Sequence, residues 1–208
     1  MEWFSTLTLA LGSAWTSGIN LYATVTVLGL LQKFGLSNLP GGLDALDNWW
    51  IIGVAGFLYL IEFVADKVPY IDSVWDVVHT FIRVPAGAIV AYSAVSEMDT
   101  SVMIIATLIG GGLALSSHGT KAALRAGANL SPEPVSNWIL SIVEDIIAIV
   151  GALLAVFAPF IIAGVLIVFG IFFIWFAPKV FRAIRRLLLG IRALFRGEGI
   201  KEVARKAG

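Results

Sequence analysis

The sequence predicts an all-α fold, a polytopic transmembrane helical bundle of about six spans, and three observations carry that expectation. Of 208 residues, 59% are hydrophobic and only 13% are charged, whereas soluble domains run at about 45–50% apolar and about 25% charged. Mean hydropathy is +0.92. A soluble chain of this size still exposes roughly 30% of its unfolded surface, so lipid must be the solvent for the remainder. The second observation is the recurrence of apolar stretches near the ~20 residues needed to cross a bilayer. The third is that ionisable residues within those stretches fall at helical spacing rather than at random.

In chain order, the first stretch is Trp3–Phe34, interrupted at Ser17-Gly18-Ile19-Asn20. Its 32 residues make about 48 Å of helix against a hydrocarbon core of ~30 Å. Trp49–Val68 is an uninterrupted span, and Val84–Val95 extended backward to Tyr70 is another. Val102–Ala128 is interrupted at Ser116-Ser117-His118-Gly119. Trp138–Phe157 and Phe160–Phe176 complete the set. Glycine beside small polar residues marks a local helix break, so Gly18, Asn20 and Gly119 are the candidate breaks. Met1-Glu2 gives no basic start for a secretory signal, and the beginning reads as the first membrane helix.

The two halves share a pattern: an interrupted segment, an Asn-Trp pair (Asn48-Trp49, Asn137-Trp138), a span closing on Pro69 or Pro159, and a second proline at Pro85 or Pro178. This predicts two repeats, 1–97 and 98–178, followed by a basic tail, 179–208. Nine of the 14 Lys and Arg lie after residue 178, so that tail is expected in the cytoplasm. The loops holding Asp44, Asp47, Glu97 and Asp99 contain no Lys or Arg and are expected outside. Six crossings then make the repeats inverted, each with one broken helix, and place both termini inside. The rival arrangement is a re-entrant hairpin in each half, with four full spans.

Charges at membrane depth are expensive, about 2.5–3.5 kcal/mol each on insertion scales, and persist where they pair, line water or serve function. Glu62, Asp66 and Lys67 close one span. Asp72, Asp76, His79 and Arg83 follow at spacings of 4, 3 and 4, which puts them on one helix face. His118, Lys121, Arg125 and Asn129 form a second stripe, and Glu144 and Asp145 lie early in the span from Trp138. The candidate pathway or binding residues are therefore Glu62, Asp66, Asp72, Asp76, His79, Arg83, His118, Lys121, Arg125, Glu144 and Asp145. The competing reading is structural ion pairing, with Lys121 and Arg125 neutralising acids of the other half. His79, three residues after Asp76, suits a proton relay, a hydrogen bond or a metal ligand. Two histidines and no cysteine make a weak metal set, and a metal role is left open.

The tail reads as an amphipathic helix along the membrane surface. Leu187, Leu188, Ile191, Leu194 and Phe195 form one face, with Arg185, Arg192 and Arg196 beside it, suited to anionic lipid headgroups rather than nucleic acid. Gly110-Gly111-Gly112 sits in apolar sequence without the Lys-Ser/Thr of a phosphate loop. There is no dinucleotide fingerprint or catalytic serine motif, no cofactor is implied, and catalysis is the weaker expectation. Absence of cysteine excludes disulfides and thiol chemistry.

Ser17-Gly18-Ile19-Asn20-Leu21-Tyr22-Ala23-Thr24, and the segment from Asp66-Lys67-Val68-Pro69 through Asp72, Trp75-Asp76, His79 and Arg83 to Pro85-Ala86-Gly87-Ala88, carry a resemblance. In these blocks the chain resembles a family of bacterial membrane proteins known as domain of unknown function 4126. The resemblance implies an inner-membrane location and no particular activity. Three functions follow as expectations: a transporter or channel for an ion or small solute; a lipid-active protein, either an anionic-lipid translocase or an intramembrane enzyme, gripping phosphate with Lys121 and Arg125; or a membrane scaffold. The oligomeric state, a homo-oligomer included, is left open.

Overall fold

Six α-helices and one short 3-10 turn make up the described part of the chain in the computed structural model, and no strand occurs among the described residues. The structure describes residues 2–68, 71–129 and 134–196, without the side chains of 134, 191 and 193–196. Helix α1 runs Glu2–Lys33, the 3-10 turn Gly41–Asp47, α2 Trp49–Ala65, α3 Ile71–Ala94, α4 Thr100–Ala128, α5 Pro134–Phe157 and α6 Pro159–Arg196. Five helices are long and apolar enough to cross a membrane, and the 3-10 turn with α2, bent by 78°, makes a sixth.

The polarity of the molecule is inverted relative to a soluble protein. Trp50 is 84% exposed and Phe81 79%, while Glu62, Asp72 and Arg83 are wholly buried. Apolar side chains therefore face outward and ionic ones inward, the arrangement that lipid imposes. The chain is accordingly a multi-pass membrane protein.

Local chemistry sets the helix ends. Asn48 caps α2, its side-chain oxygen accepting from the Trp50 N–H at 2.8 Å. Asp99 caps α4 in the same way through the Ser101 N–H at 2.8 Å, and that hydrogen bond holds its carboxyl below the usual carboxylate range. Pro85 and Pro178 lie within α3 and α6, both of which continue through them. The span expected to end near Phe176 thus runs on into the basic segment as one helix. The tail residues beyond 196, and the side chains of Ile191, Leu194, Phe195 and Arg196, lie outside the described residues, as do Pro69 and Tyr70.

Helix α1 occupies the centre, in contact with α2, α3, α4 and α5. Small residues permit the approach. A Cβ on Gly18 would collide with the Ala114 backbone and the Ser117 hydroxyl of α4. Gly87 and Gly110 are equally close to Ala114 and Ala91, so α1, α3 and α4 meet backbone to backbone.

The backbone of α1 leaves helical geometry at Asn20, with φ −146° and ψ 99°. The limbs on either side of this break follow different neighbours. Phe4 stacks on Phe160, 5.0 Å between ring centres, Gly12 meets Ala155 and Ile162, and Gly18 meets Ala114. Tyr22 then reaches His79, while Gly29 abuts Ile52 and Leu46 near the start of α2. One cavity of about 530 Å³ is lined both by Glu2, Ser5 and Leu9 and by Ser37, Asn38 and Pro40. The two ends of α1 thus lie together at the end of the bundle that also holds Glu97 and Val156.

The break expected at Gly119 is not present. Helix α4 runs continuously from Thr100 to Ala128. Gly119 has open space where a Cβ would stand, so it neither turns the chain nor admits a neighbour. Gly18 is a packing glycine, and the interruption itself falls two residues later, at Asn20.

From Val168 onward the described residues form a separate compact unit. Within it Phe172 stacks on Phe176 at 5.1 Å, and the Lys179 ammonium lies 2.8 Å from the Trp175 ring centre. Leu187 and Leu188, the two residues of the expected amphipathic face whose side chains are described, are exposed there.

Candidate functional site

The site begins with the Asn20 break. In an unbroken helix the Ala23 N–H would bond the Ile19 carbonyl. Here it bonds the Asn20 side-chain oxygen at 2.9 Å, so Asn20 is the N-cap of the second limb. The released Ile19 carbonyl accepts from the Lys121 ammonium at 3.2 Å. The Asn20 amide donates to Asp145 of α5 at 2.9 Å. One asparagine thereby caps a half-helix, frees a carbonyl and ties the turn to a carboxylate.

Around this turn the ends of four helices bring their ionic residues together. Lys121 reaches Asp66 at 3.1 Å, Glu62 at 3.3 Å and Glu144 at 3.4 Å. Arg125 spans three carboxylates. Its Nη1 donates to Asp72 at 2.8 Å, its Nη2 to Asp66 at 2.8 Å, and its Nε and Nη2 form a two-point contact with Glu144 at 3.0 and 2.5 Å. The Asp66 carbonyl accepts a further bond from Nη1 at 2.8 Å. The planar five-donor fork of Arg suits this geometry. Arg83 bonds Glu62 at 2.5 Å and lies 3.6 Å from Asp76. At the margin, Asn129 donates to Asp72, and Asn137 to Asn129. Lys67 turns toward α5, reaching Ser141 at 3.3 Å.

Both histidines have their partners assigned by donor logic. Arg83 Nη1 donates to His118 Nδ1 at 3.1 Å, which leaves the His118 proton on Nε2, facing the Asp76 carbonyl and the Thr80 hydroxyl. His79 Nδ1 donates to the Trp75 carbonyl at 2.8 Å, and its Nε2 accepts from the Tyr22 hydroxyl at 3.0 Å. With both nitrogens engaged, His79 is built as a hydrogen-bonding bridge between α3 and the second limb of α1. Among the described residues no group of three or more His, Asp and Glu is arranged to hold a metal ion.

All eleven residues singled out from the sequence fall in this one buried cluster. Their pairing is denser than a lined channel requires, since Glu62 and Glu144 each touch two cations. The donors of Lys121 and Arg125 are directed at carboxylates and carbonyls, so a phosphate would have to displace these acids to be gripped there. Sequence reasoning missed Tyr22, Thr80 and the Ile19 carbonyl. Backbone carbonyls leave no trace in a sequence, and Tyr22 stood out only within the block that carries the family resemblance.

The charges do not balance. Among the described residues six acids are buried (Glu62, Asp66, Asp72, Asp76, Glu144, Asp145) against three bases (Arg83, Lys121, Arg125). Counting half-buried Lys67 still leaves two acids in excess. Four buried carboxylate oxygens have no hydrogen-bond partner among the described residues: Glu62 Oε2, Asp66 Oδ1, Asp76 Oδ1 and Asp145 Oδ2. An uncompensated buried carboxylate costs several kcal/mol even after relaxation. Protonating a carboxyl of ordinary pKa at neutral pH costs about 4 kcal/mol. The two costs are of one size, so a bound proton or a cation would each offset the surplus charge.

Fold and site define a multi-pass helical membrane protein with a buried ionic cluster at a helix break. The family model described as "Domain of unknown function (DUF4126)" matches residues 7–179. The chain belongs to that family, which carries no assigned activity. No curated protein and no solved structure matches it.

Proposed function

We propose that the protein is a transporter or channel for an ion or small solute, with the cluster around Asn20 as its coupling element. The observation that carries this reading is a buried backbone break at mid-bundle, set among surplus carboxylates. Non-helical backbone at membrane depth is tolerated only within protein or beside a hydrated cavity, and discontinuous helices are how many transporters build their binding sites. A scaffold needs neither the surplus charge nor a helix end aimed at it.

In this reading α1 is a re-entrant hairpin that enters and leaves on one side, because its two ends share one cavity. Helices α2 to α6 then make the crossings. The end holding Asp44, Asp47, Glu97 and Asp99 is outside, and so is the N-terminus. The basic tail lies on the cytoplasmic face of a bacterial inner membrane against anionic lipid. The hairpin sets the N-terminus opposite to where six crossings would put it.

The test is flux in proteoliposomes under imposed gradients of protons, sodium, potassium and chloride, with solute uptake measured in parallel. Wild-type protein should pass at least one of them, and Asp145→Asn together with Asp76→Asn should abolish it. Equal flux in the double variant, or none in the wild type alongside an unaltered fold, would leave the scaffold reading.

A further inference from the structure

We propose that the cluster is a proton store and that Asp145 holds its exchangeable proton, gripped by the α1 turn. The proposal deepens the transport reading, on which its use in a cycle rests, but its physical basis is the charge balance and the geometry at Asn20.

Asp145 differs from the other buried acids. Glu62, Asp66, Asp72 and Glu144 each lie within 3.4 Å of an Arg or Lys nitrogen, and Asp76 within 3.6 Å. Among the described residues Asp145 has no such ion pair. Its one hydrogen bond among those residues is from the neutral Asn20 amide to Oδ1. Its second oxygen, Oδ2, is buried without a partner among the described residues, and the residue is 5% exposed. A carboxyl with one neutral donor and one orphaned oxygen is where a proton is best accommodated.

The charged and titratable groups facing it are known from each neighbouring element. Helix α4 contributes Lys121, and α2 with its C-terminal link contributes Tyr59, Glu62, Asp66 and Lys67. Glu144 precedes it on α5 but bonds Arg125 instead. From α1 come only neutral groups, the Asn20 amide and the Ile19 carbonyl held by Lys121. Acids outnumber bases here, which favours a proton over a bare carboxylate. A divalent ion is the poorer occupant, since no three such ligands converge among the described residues.

The link to conformation follows from the Asn20 side chain. On release, the O–H bond of Asp145 breaks, the proton passes to water or an entering solute, and its electron pair stays on the carboxylate. The charged form then strengthens the bond from the Asn20 amide, because hydrogen bonds to ionised groups are about twice as strong as neutral ones. The same side chain caps the second limb of α1, so loading and unloading Asp145 alters the hold on the turn.

The experiment is infrared difference spectroscopy of the purified full chain in detergent, stepped in pH across the neutral range in ordinary and heavy water. A protonated-carboxyl carbonyl band that titrates and shifts on deuteration is expected, and Asp145→Asn should remove it. Asn20→Ser keeps a capping oxygen but loses the amide donor. It should retain the band and change the proton concentration at half-titration about tenfold, the worth of one charge-assisted hydrogen bond. A band unchanged in Asp145→Asn would move the proton to another acid and overturn the assignment. No titrating band at all would overturn the store and leave a bound cation to balance the charge. Flux plays no part in these readouts. A titrating Asp145 in a protein that passes nothing would keep this proposal and sink the transport reading, and flux without the band would do the reverse.

Discussion

Replacing Arg125 with leucine tests whether the cluster is held together as its geometry implies. Arg125 is 1% exposed and bonds Asp66, Asp72 and Glu144, joining the ends of α2, α3 and α5 from α4. Deleting one partner of a buried ion pair costs about 3–5 kcal/mol, because the other is left charged and unpaired. Here three carboxylates lose a partner, though Asp66 and Glu144 keep Lys121. Among the described residues Asp72 keeps only the Asn129 amide, at 3.3 Å. The loss is therefore expected at the upper part of that range, about 4–5 kcal/mol. At roughly 2–4 °C per kcal/mol for a chain of this size, the unfolding midpoint in detergent falls by about 10–15 °C. The variant should also recover as pH falls. Its stranded carboxyls bind more protons folded than unfolded, so stability rises with acidity in the pH range where they protonate. Arg125→Lys retains charge but not the fork, and should lie between the two. A midpoint within about 3 °C of wild type, or a loss independent of pH, would refute the reasoning, since Asp66, Asp72 and Glu144 would then not depend on Arg125 as their common cation.

Other outcomes follow from the same geometry. Gly18→Ala should lower stability by about 1–3 kcal/mol, since its Cβ meets the α4 backbone, while Gly119→Ala should be neutral or stabilising by up to about 1 kcal/mol; paired thermal melts check both. Asn20→Ala loses a cap and the donor to Asp145, for about 2–4 kcal/mol in the same melts. Asn20→Asp sets a second carboxyl against Asp145, and its stability should fall as pH rises, because the pair must hold a proton to stay folded. Tyr22→Phe removes the hydroxyl donor to His79 and should cost about 1 kcal/mol without displacing α1.

Much of this was legible in the residues. Spacings of 4, 3 and 4 put Asp72, Asp76, His79 and Arg83 on one face, and all four are buried on it. The expectation that Lys121 and Arg125 would meet acids from the first half also holds, since both contact Asp66. What periodicity could not show is direction. A segment of 32 apolar residues has the same composition whether it crosses or turns back, and only the neighbours of Phe4, Tyr22 and Gly29 separate the cases. Of the three candidate breaks, Asn20 is the one at which the backbone leaves helical geometry, while the two glycines are not breaks. The glycines misled, since glycine serves close packing at Gly18 and nothing evident at Gly119, whereas the turn needed an asparagine able to cap the next limb. Pro178 misled likewise, because a helix in lipid continues through proline where neighbours or solvent accept the freed groups.

The return of α1 is the claim on which the site depends, and the natural absence of cysteine makes it directly measurable. Single cysteines at Glu2 and Asn38, on either end of α1, and at Ser73, at the far end of the bundle, would be probed in intact cells with a membrane-impermeant maleimide. A returning α1 makes Glu2→Cys and Asn38→Cys react from the same side and Ser73→Cys only after the membrane is opened. Labelling of Glu2→Cys and Asn38→Cys from opposite sides would show that α1 crosses, and the turn at Asn20 could not then be the tip of a hairpin.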